Sequence, residues 1–240
     1  MSTIGRIARE GLLRERVTTA LRDAILNGQL KAGQKLVERE LCSWLDISRT
    51  VLREALPQLQ AEGLIRTVAH KGPSVASVDA EEAKEIYHVR RVLEGLAAQE
   101  FARRASDEQV KALREQLVAL KQPEAASSLR SLLIAKAGFY SVLFEGCGNR
   151  IIRQYLTQLS NRMVLYKRLS LSVEGRLAAA IEELEAVVEA IEARDPERAK
   201  VLCEVHVINA ERNVLQKLSD EADVNRDDDE DGIADGDDDA

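Results

Sequence analysis

The succession of hydrophobic patterns in residues 12–78 is the feature that most restricts the fold of this chain. Residues 12–27 place apolar side chains at four-residue steps, which predicts an amphipathic helix stopped by a glycine. A shorter helix follows, in which Trp44 is expected to be a core residue, and Ser48 is a good N-cap for a third helix. Two β-branched runs flank the stretch AHKGP and predict a β-hairpin. This order of elements is that of a winged helix-turn-helix.

Beyond Val78 the pattern is helical, and Asp79 is placed to cap a long helix that ends near residue 105. Five more helices are predicted over 106–121, 124–146, 149–171, 174–194 and 196–218. Six helices joined by short loops predict an antiparallel all-α bundle, so the expected fold class is mainly α. The predicted segments are an N-terminal arm (1–11), the winged domain (12–78), the helical domain (79–219) and a tail (220–240).

The charge of the chain is distributed unevenly. The net charge is -7, but residues 1–76 carry 12 Lys and Arg against 8 Asp and Glu, whereas residues 220–240 carry 1 Arg against 12 acidic residues. The basic N-terminal part is therefore expected to bind a polyanion. The acidic tail contains almost no apolar residues, so it is predicted to be disordered and is a candidate competitor for the basic surface.

Two interpretations fit a pattern inside the acidic tail. Low-complexity runs of aspartate produce regular spacing without binding a metal, and no flanking helices frame this run. The spacing also resembles a calcium loop of the D-x-D-x-D-G-x-x-D kind. Disordered acid is the favoured interpretation. The residues in question are Asp227, Asp229, Asp231, Gly232, Asp235 and Asp238.

The composition excludes several classes of protein. No apolar run approaches the ~20 residues of a membrane span, and the N-terminus lacks the apolar core of a signal peptide, so we expect a cytoplasmic protein without a membrane partner. The three cysteines form no CxxC pattern and are expected to be free thiols. The sequence has no Ser-His-Asp set and no Gly-rich phosphate loop, so an enzyme is not expected.

The third predicted helix has two chemically different sides. At about 100° per residue, Arg49, Thr50 and Arg53 share one side, and the leucines that follow lie on the other. In a helix-turn-helix, the first residues of the second helix reach base edges in the major groove of DNA. Arginine can bind guanine with two hydrogen bonds, and Arg39 near the start of the preceding helix is placed to meet a phosphate. A solvated charged face on an ordinary helix is the alternative.

Two neighbouring features affect this polar side. The hairpin tip contributes His70, Lys71 and Gly72, and a basic tip with a glycine can approach a minor groove or a phosphate closely. A plain surface role for His70 is the alternative.

Pro57 lies inside the third helix, where it removes a backbone hydrogen bond at a cost of about 3 kcal/mol in an isolated helix. The apolar spacing continues across Pro57, which predicts a kink beyond the polar side rather than a break.

The stretch LRDAILNGQLKAGQKLVERELCSWLDISRTVLREALPQLQAEGLI resembles the winged-helix DNA-binding domain of the GntR family of bacterial transcription regulators. The family's usual proline before the loop glycine is Ala32 here. The resemblance implies double-stranded DNA as a partner. It assigns the DNA contacts to Arg39, Ser48, Arg49, Thr50, Arg53, His70, Lys71 and Gly72.

Three later stretches resemble the FCD effector domain of the FadR-like subfamily: EIYHVRRVLEGLAAQEFA, FYSVLFEGCGN and AVVEAIEARDPERAKVLCEVH. The resemblance implies a small-molecule effector bound within the helical bundle. It also implies a homodimer, which would read an inverted-repeat operator. A repressor is the expected regulator, and a non-specific DNA-binding or scaffold protein without an effector is the alternative function.

Many FCD domains bind a divalent metal through one aspartate and three histidines. The corresponding positions here are Lys136, Tyr140, Leu184 and His206, so one ligand remains and neither a metal nor another cofactor is expected. If Lys136 points inward, its charge can replace that of the metal and bind an anion such as a carboxylate. Arg90, Tyr140 and His206 are then the other candidate pocket residues. The alternative is that Lys136 reaches solvent while Tyr140 and Leu184 fill the cavity.

Overall fold

The computed structural model describes residues 2–68 and 72–231. Its N-terminal unit has three helices and a two-stranded antiparallel sheet in which Ile65 pairs with Val75. The winged helix-turn-helix predicted for this part of the chain is confirmed. The elements are α1 (Ser2–Leu26), α2 (Glu38–Leu45), α3 (Arg49–Ala61), β1 (Ile65–Val68) and β2 (Gly72–Val75).

The structure differs from expectation at two places in the winged domain. α1 begins at Ser2, so the stretch predicted as a separate arm continues the first helix, because extension of a formed helix adds one hydrogen bond per residue. Trp44 was expected in the core, but 52% of its surface is exposed. α2 buries Leu41 and packs Leu45 against the same core, and Trp44 lies outside that arc of the helix.

The second unit is a bundle of eight helices within the described residues, and the predicted all-α bundle is confirmed. Asp79 caps its first helix by accepting hydrogen bonds from two backbone N–H groups, and Ser106 forms a capping box at the second. The elements are α4 (Ala80–Arg104), α5 (Asp107–Leu120), α6 (Pro123–Ala126), α7 (Leu129–Gly146), α8 (Arg150–Arg162), α9 (Val164–Leu171), α10 (Arg176–Glu192) and α11 (Pro196–Asp231).

Two of the six helices predicted for the bundle are each divided in the structure. The Ser128 side chain accepts a hydrogen bond from the Ser131 N–H and starts α7 separately from α6. Met163, with φ -94° and ψ 3°, separates α8 from α9. The apolar spacing continues across both breaks. The periodicity of the sequence therefore predicts one helix at each place where the structure has two.

α4 and α11 pack along each other at the centre of the bundle. A side chain at Gly95 of α4 would meet Glu204 of α11 at 2.7 Å, so this glycine allows the two helices to approach closely. The largest hydrophobic cluster lies between α4, α5, α7 and α10, around Phe101 and Phe139. Within the described ranges, no helix is both long and apolar enough to span a membrane.

α11 differs from expectation at the end of the chain. It continues to Asp231, so a helix covers the first half of the tail that was predicted to be disordered. Continuing an established helix costs far less free energy than starting one, which explains how a polar stretch extends α11. The second half of the calcium-like pattern, from Gly232 onward, lies outside the described residues.

Candidate DNA interface and effector chamber

The first turn of α3 presents a polar surface, as the sequence predicted. Ser48 has extended backbone angles, and its Oγ accepts a hydrogen bond from the Val51 N–H at 3.4 Å. This hydroxyl is therefore an N-cap in the free protein. Arg49 and Thr50 follow it and are exposed, while Leu52 on the opposite side is fully buried.

Pro57 does not interrupt α3. The helix runs through it to Ala61, and Pro57 itself is exposed. The buried residues Ala55 and Leu59 hold the helix against the winged core on both sides of the proline. Packing therefore offsets the backbone hydrogen bond that Pro57 removes. The polar first turn of α3 lies before Pro57 in the chain.

Arg53 makes a defined contact that the sequence did not predict. Its Nε donates to Glu38 Oε1 at 2.9 Å, and its Nη2 donates to Glu38 Oε2 at 2.9 Å. Glu38 is the first residue of α2, and Arg39, the predicted phosphate contact, is the exposed residue after it. The ion pair thus joins the two helices of the helix-turn-helix.

The structure describes the predicted wing in part. Gly72 begins β2 with φ +79°, a conformation that favours glycine, and a Cβ there would meet open space. His70 and Lys71 lie outside the described residues. Gly72 therefore leaves room for a close approach to DNA, while its role and the placement of the basic side chains stay predictions.

A chain of hydrogen bonds joins three of the four predicted pocket residues inside the bundle. The Arg90 guanidinium donates to Glu94 and, at 3.2 Å, to the Tyr140 hydroxyl. The Tyr140 hydroxyl lies 2.9 Å from His206 Nε2, and His206 Nδ1 lies 2.6 Å from Glu183 Oε2. We call this cluster the polar chamber; its members are Arg90, Glu94, Lys136, Tyr140, Lys167, Arg176, Glu183 and His206.

Lys136 points into the protein. Only 8% of its surface is exposed, which favours the interpretation in which it points inward over the one in which it reaches solvent. Desolvation, together with the charges of Arg90, Arg176 and Lys167, lowers the pKa of Lys136 to about 7. Within the described part of the chain its ammonium has no hydrogen bond or ion pair. Leu184 is also buried, as the same alternative expected.

Burial and pairing also shift the pKa values of three other groups in the polar chamber. Burial lowers the pKa of His206 to about 3, so at neutral pH its Nδ1–H donates to Glu183 and its Nε2 accepts from Tyr140. Partial burial acts to raise the pKa of Glu183, but hydrogen bonds from His206 and Arg176 bring it down to about 2. Desolvation lowers the pKa of Lys167 to about 8.

The residues of this site do not fit a metal. Both ring nitrogens of His206 already have partners, in Tyr140 and Glu183. Among residues 2–68 and 72–231, no group of three or more His, Cys, Asp or Glu side chains is arranged to hold a metal ion.

Sequence reasoning missed four members of the polar chamber: Glu94, Lys167, Arg176 and Glu183. One signal was available, because Glu94 lies four residues after Arg90 and such pairs meet on a helix. The neighbour of Leu184, Glu183, supplies the group that contacts His206. The Tyr87 hydroxyl was also missed; among the described residues it is buried without a partner.

α9 connects the polar chamber to the winged domain. Val164 and Leu165 pack against the core of the winged domain, and Leu165 is 7% exposed. Two residues later, Lys167 lines the polar chamber. Between them, the Tyr166 hydroxyl accepts a hydrogen bond from the Asp79 N–H at 3.5 Å, where the two domains join. One short helix thus contacts both domains and their junction.

One side of the polar chamber borders a small cavity. A cavity of about 10 Å³ lies between Arg90, Glu94 and Tyr140 on one side and α8 and α9 on the other. This volume is on the order of that needed by a single water molecule. A larger ligand in this cavity would therefore have to displace α8 and α9 from α4 and α7.

Comparison with known proteins agrees with this architecture. Residues 85–209 match the FCD domain, and residues 13–75 match the family described as bacterial regulatory proteins, gntR family. The gluconate operon transcriptional repressor of Bacillus licheniformis is 30% identical over 177 residues, which cover 72% of this chain and 70% of that protein. The HTH-type transcriptional repressor GlaR of Escherichia coli (strain K12) is 28% identical over 197 residues, or 78% of this chain and 89% of that protein.

A solved structure shows the same fold. A GntR transcriptional regulator from Rhodococcus sp. RHA1 matches with a TM-score of 0.66 at 24% identity, covering 85% of this chain and 97% of that chain. A winged helix-turn-helix followed by a helical effector domain defines a class of DNA-binding transcription regulators, which are not enzymes. The chain belongs to the GntR family, and its helical part is an FCD domain.

Proposed function

We propose that the protein is a homodimeric cytoplasmic repressor that binds an inverted-repeat operator and is controlled by a small organic anion in the polar chamber. The observation that supports the effector most directly is the buried ammonium of Lys136. The charges of three other cations and of the Glu94 carboxylate act on it, and among the described residues it makes no hydrogen bond or ion pair. A buried charge without a partner is costly, so an anion that pairs with it gains free energy.

The balance of charges in the polar chamber favours an anion. Four basic side chains, Arg90, Lys136, Lys167 and Arg176, face the carboxylates Glu94 and Glu183. When both lysines are protonated, positive charge is in excess. The Tyr87 hydroxyl adds a donor without an acceptor. A carboxylate offers two acceptor oxygens and a negative charge, which is the chemistry that these groups lack.

The small cavity suggests how binding is transmitted. An effector that enters between α4 and α8 must push α8 and α9 outward, and Leu165 on α9 is buried in the winged core. Packed cores change between discrete arrangements rather than deforming continuously. Effector binding would therefore shift the winged domain relative to the bundle and change operator affinity.

The DNA side of the proposal rests on α2, α3 and the wing. Arg49, Thr50 and Arg53 are exposed at the first turns of α3, and we assign them to base edges in the major groove. We assign Arg39 and Ser48 to contacts with DNA phosphates. The wing residues His70, Lys71 and Gly72 are assigned to the backbone or the minor groove.

The dimer is proposed to form through α4 and α11. These two packed helices carry four exposed valines, although exposed side chains on such helices are usually polar. A second copy that covers them would remove this apolar area from water. Light scattering of Val92→Glu and Val205→Glu tests the surface, and an unchanged dimer would contradict it. The four residues are Val89, Val92, Val201 and Val205.

Operator binding can be tested with a library of randomised DNA duplexes. In vitro selection from this library, followed by footprinting of the selected duplex, should show two protected half-sites separated by about one helical turn. Arg49→Ala should weaken binding to that duplex. Uniform protection of any duplex would support the non-specific alternative and contradict the proposal.

Effector binding can be tested by calorimetry with a panel of mono-, di- and tricarboxylates. We expect at least one to bind the wild type, and Lys136→Met to lose that binding. Lys111→Met is the matched control, since Lys111 is 79% exposed on α5. Equal binding by the wild type and Lys136→Met would contradict the assignment. Zinc binding that depends on His206 would contradict the expectation that no metal binds.

A further inference from the structure

The contact between Arg53 and Glu38 leaves one edge of the guanidinium free. Guanidinium carries five N–H groups, and Glu38 uses the edge formed by Nε and Nη2. The opposite edge, formed by Nη1 and the second N–H of Nη2, has no partner in the described residues. The side chain of Arg53 is 65% exposed, so this free edge can reach a ligand in front of α3.

The free edge has the geometry that guanine requires. Guanine presents O6 and N7 in the major groove, and an arginine binds both through two parallel N–H groups. An arginine side chain that is not held in place loses conformational entropy about several rotatable bonds when it binds. Glu38 restrains Arg53 before DNA arrives, because the two residues belong to different helices that are fixed by the winged core.

We propose that Glu38 is a positioning residue that sets the base specificity of Arg53 by holding its guanidinium with the free edge towards the major groove. The inference rests on the proposed reading of an operator by α3. Glu38 acts through Arg53 and does not itself contact a base.

This role predicts two effects of opposite sign. Glu38 is an anion at a surface that faces phosphates, so its charge weakens binding to any DNA. Its contact with Arg53 strengthens binding only where the correct base pair is present. Removing the charge should therefore strengthen non-specific binding while it reduces discrimination. A residue that merely stabilised the domain would change neither quantity selectively.

The test measures two affinities by fluorescence anisotropy, one for the selected duplex and one for a shuffled duplex of the same composition. Glu38→Gln is compared with Glu40→Gln, which removes the same charge from the same turn of α2. Glu40 is exposed and has no side-chain partner within the described residues. Glu38→Asp keeps the charge but shortens the reach to Arg53.

We expect Glu38→Gln to lower the ratio of the two affinities about tenfold, and Glu40→Gln to leave that ratio within about twofold. Glu38→Asp should lower the ratio without strengthening binding to the shuffled duplex. When each base pair of the duplex is varied in turn, the loss should fall on the same position for Glu38→Gln and Arg53→Ala.

Three results would overturn the inference. Equal ratios for Glu38→Gln and Glu40→Gln would show that the contact does not position Arg53. A higher ratio for Glu38→Gln than for the wild type would show that Glu38 competes with the base pair for Arg53. A wild type that does not discriminate between the two duplexes would overturn the proposed operator reading as well, which separates that failure from the first two.

Discussion

Replacing Lys136 by methionine should stabilise the folded protein, by an amount that shrinks as the pH rises. Desolvation and the charges of Arg90, Arg176 and Lys167 lower the pKa of Lys136 from 10.5 to about 7 in the folded state. Below pH 7 the lysine is protonated in both states, so folding bears the full cost of burying the charge. Between pH 7 and 10.5 the folded protein releases the proton, and the cost declines until both states are neutral.

The magnitude follows from these two pKa values. At about 1.4 kcal/mol per pH unit, the change from 10.5 to about 7 corresponds to about 5 kcal/mol at acidic pH. Between pH 7 and pH 9 the cost falls by about 2 kcal/mol. Methionine has a similar length and no charge, so Lys136→Met escapes this cost at every pH. Its advantage over the wild type should therefore fall by about 2 kcal/mol across that interval.

Urea unfolding followed by far-UV circular dichroism at pH 7, 8 and 9 measures the difference. Burial holds the folded-state pKa of His206 at about 3, and its unfolded state is the same in both proteins, so its titration cancels in the difference. Lys111→Met, on an exposed face of α5, should show no pH-dependent difference from the wild type. The reasoning would be refuted if the advantage of Lys136→Met were constant from pH 7 to pH 9, or grew as the pH rose.

Three further substitutions test separate parts of the structure. Leu165→Ala should cost about 2–5 kcal/mol in urea unfolding because it opens a cavity in the winged core, and it should weaken the effect of an effector on DNA affinity; unchanged stability would place α9 outside that core. Ser48→Ala should cost about 1 kcal/mol through loss of the N-cap, and a change within error would show that the 3.4 Å contact contributes nothing. Trp44→Phe should change the unfolding free energy by less than about 0.5 kcal/mol because the side chain is exposed, and a core-sized loss would contradict that placement.

The winged domain could be predicted because its signals are local. Helix periodicity, the Ser48 cap and the β-branched runs each lie within a few residues of the element that they specify. Trp44 was misplaced because bulk alone suggests burial, whereas the arc defined by Leu41 and Leu45 decides which side of α2 faces the core.

The polar chamber could be predicted only in part. The resemblance pointed to Arg90, Lys136, Tyr140 and His206, and the structure brings all four into the chamber. The contact of Glu183 with His206 depends on how α10 packs against α11, which no local pattern in the sequence specifies. Contacts between distant helices follow from the packing of the whole bundle rather than from any one stretch.

Among the differences between the predicted and the observed helices, the break at Met163 matters most for the proposed function. The sequence predicts one helix over 149–171, whereas the structure ends α8 before Met163 and begins α9 after it. A separate α9 can place Leu165 in the winged core and Lys167 in the polar chamber. The proposed coupling between the two domains therefore rests on a feature that periodicity does not reveal.

The central claim is that an organic anion in the polar chamber changes the affinity of the winged domain for its operator. The most direct measurement is the dissociation constant of the selected, fluorescently labelled duplex, with and without each carboxylate of the panel, for the wild type and Lys136→Met. At least one carboxylate should change the wild-type constant by about fivefold or more and leave that of Lys136→Met unchanged. A shift of equal size in both proteins, or none in the wild type with any carboxylate, would contradict the central claim.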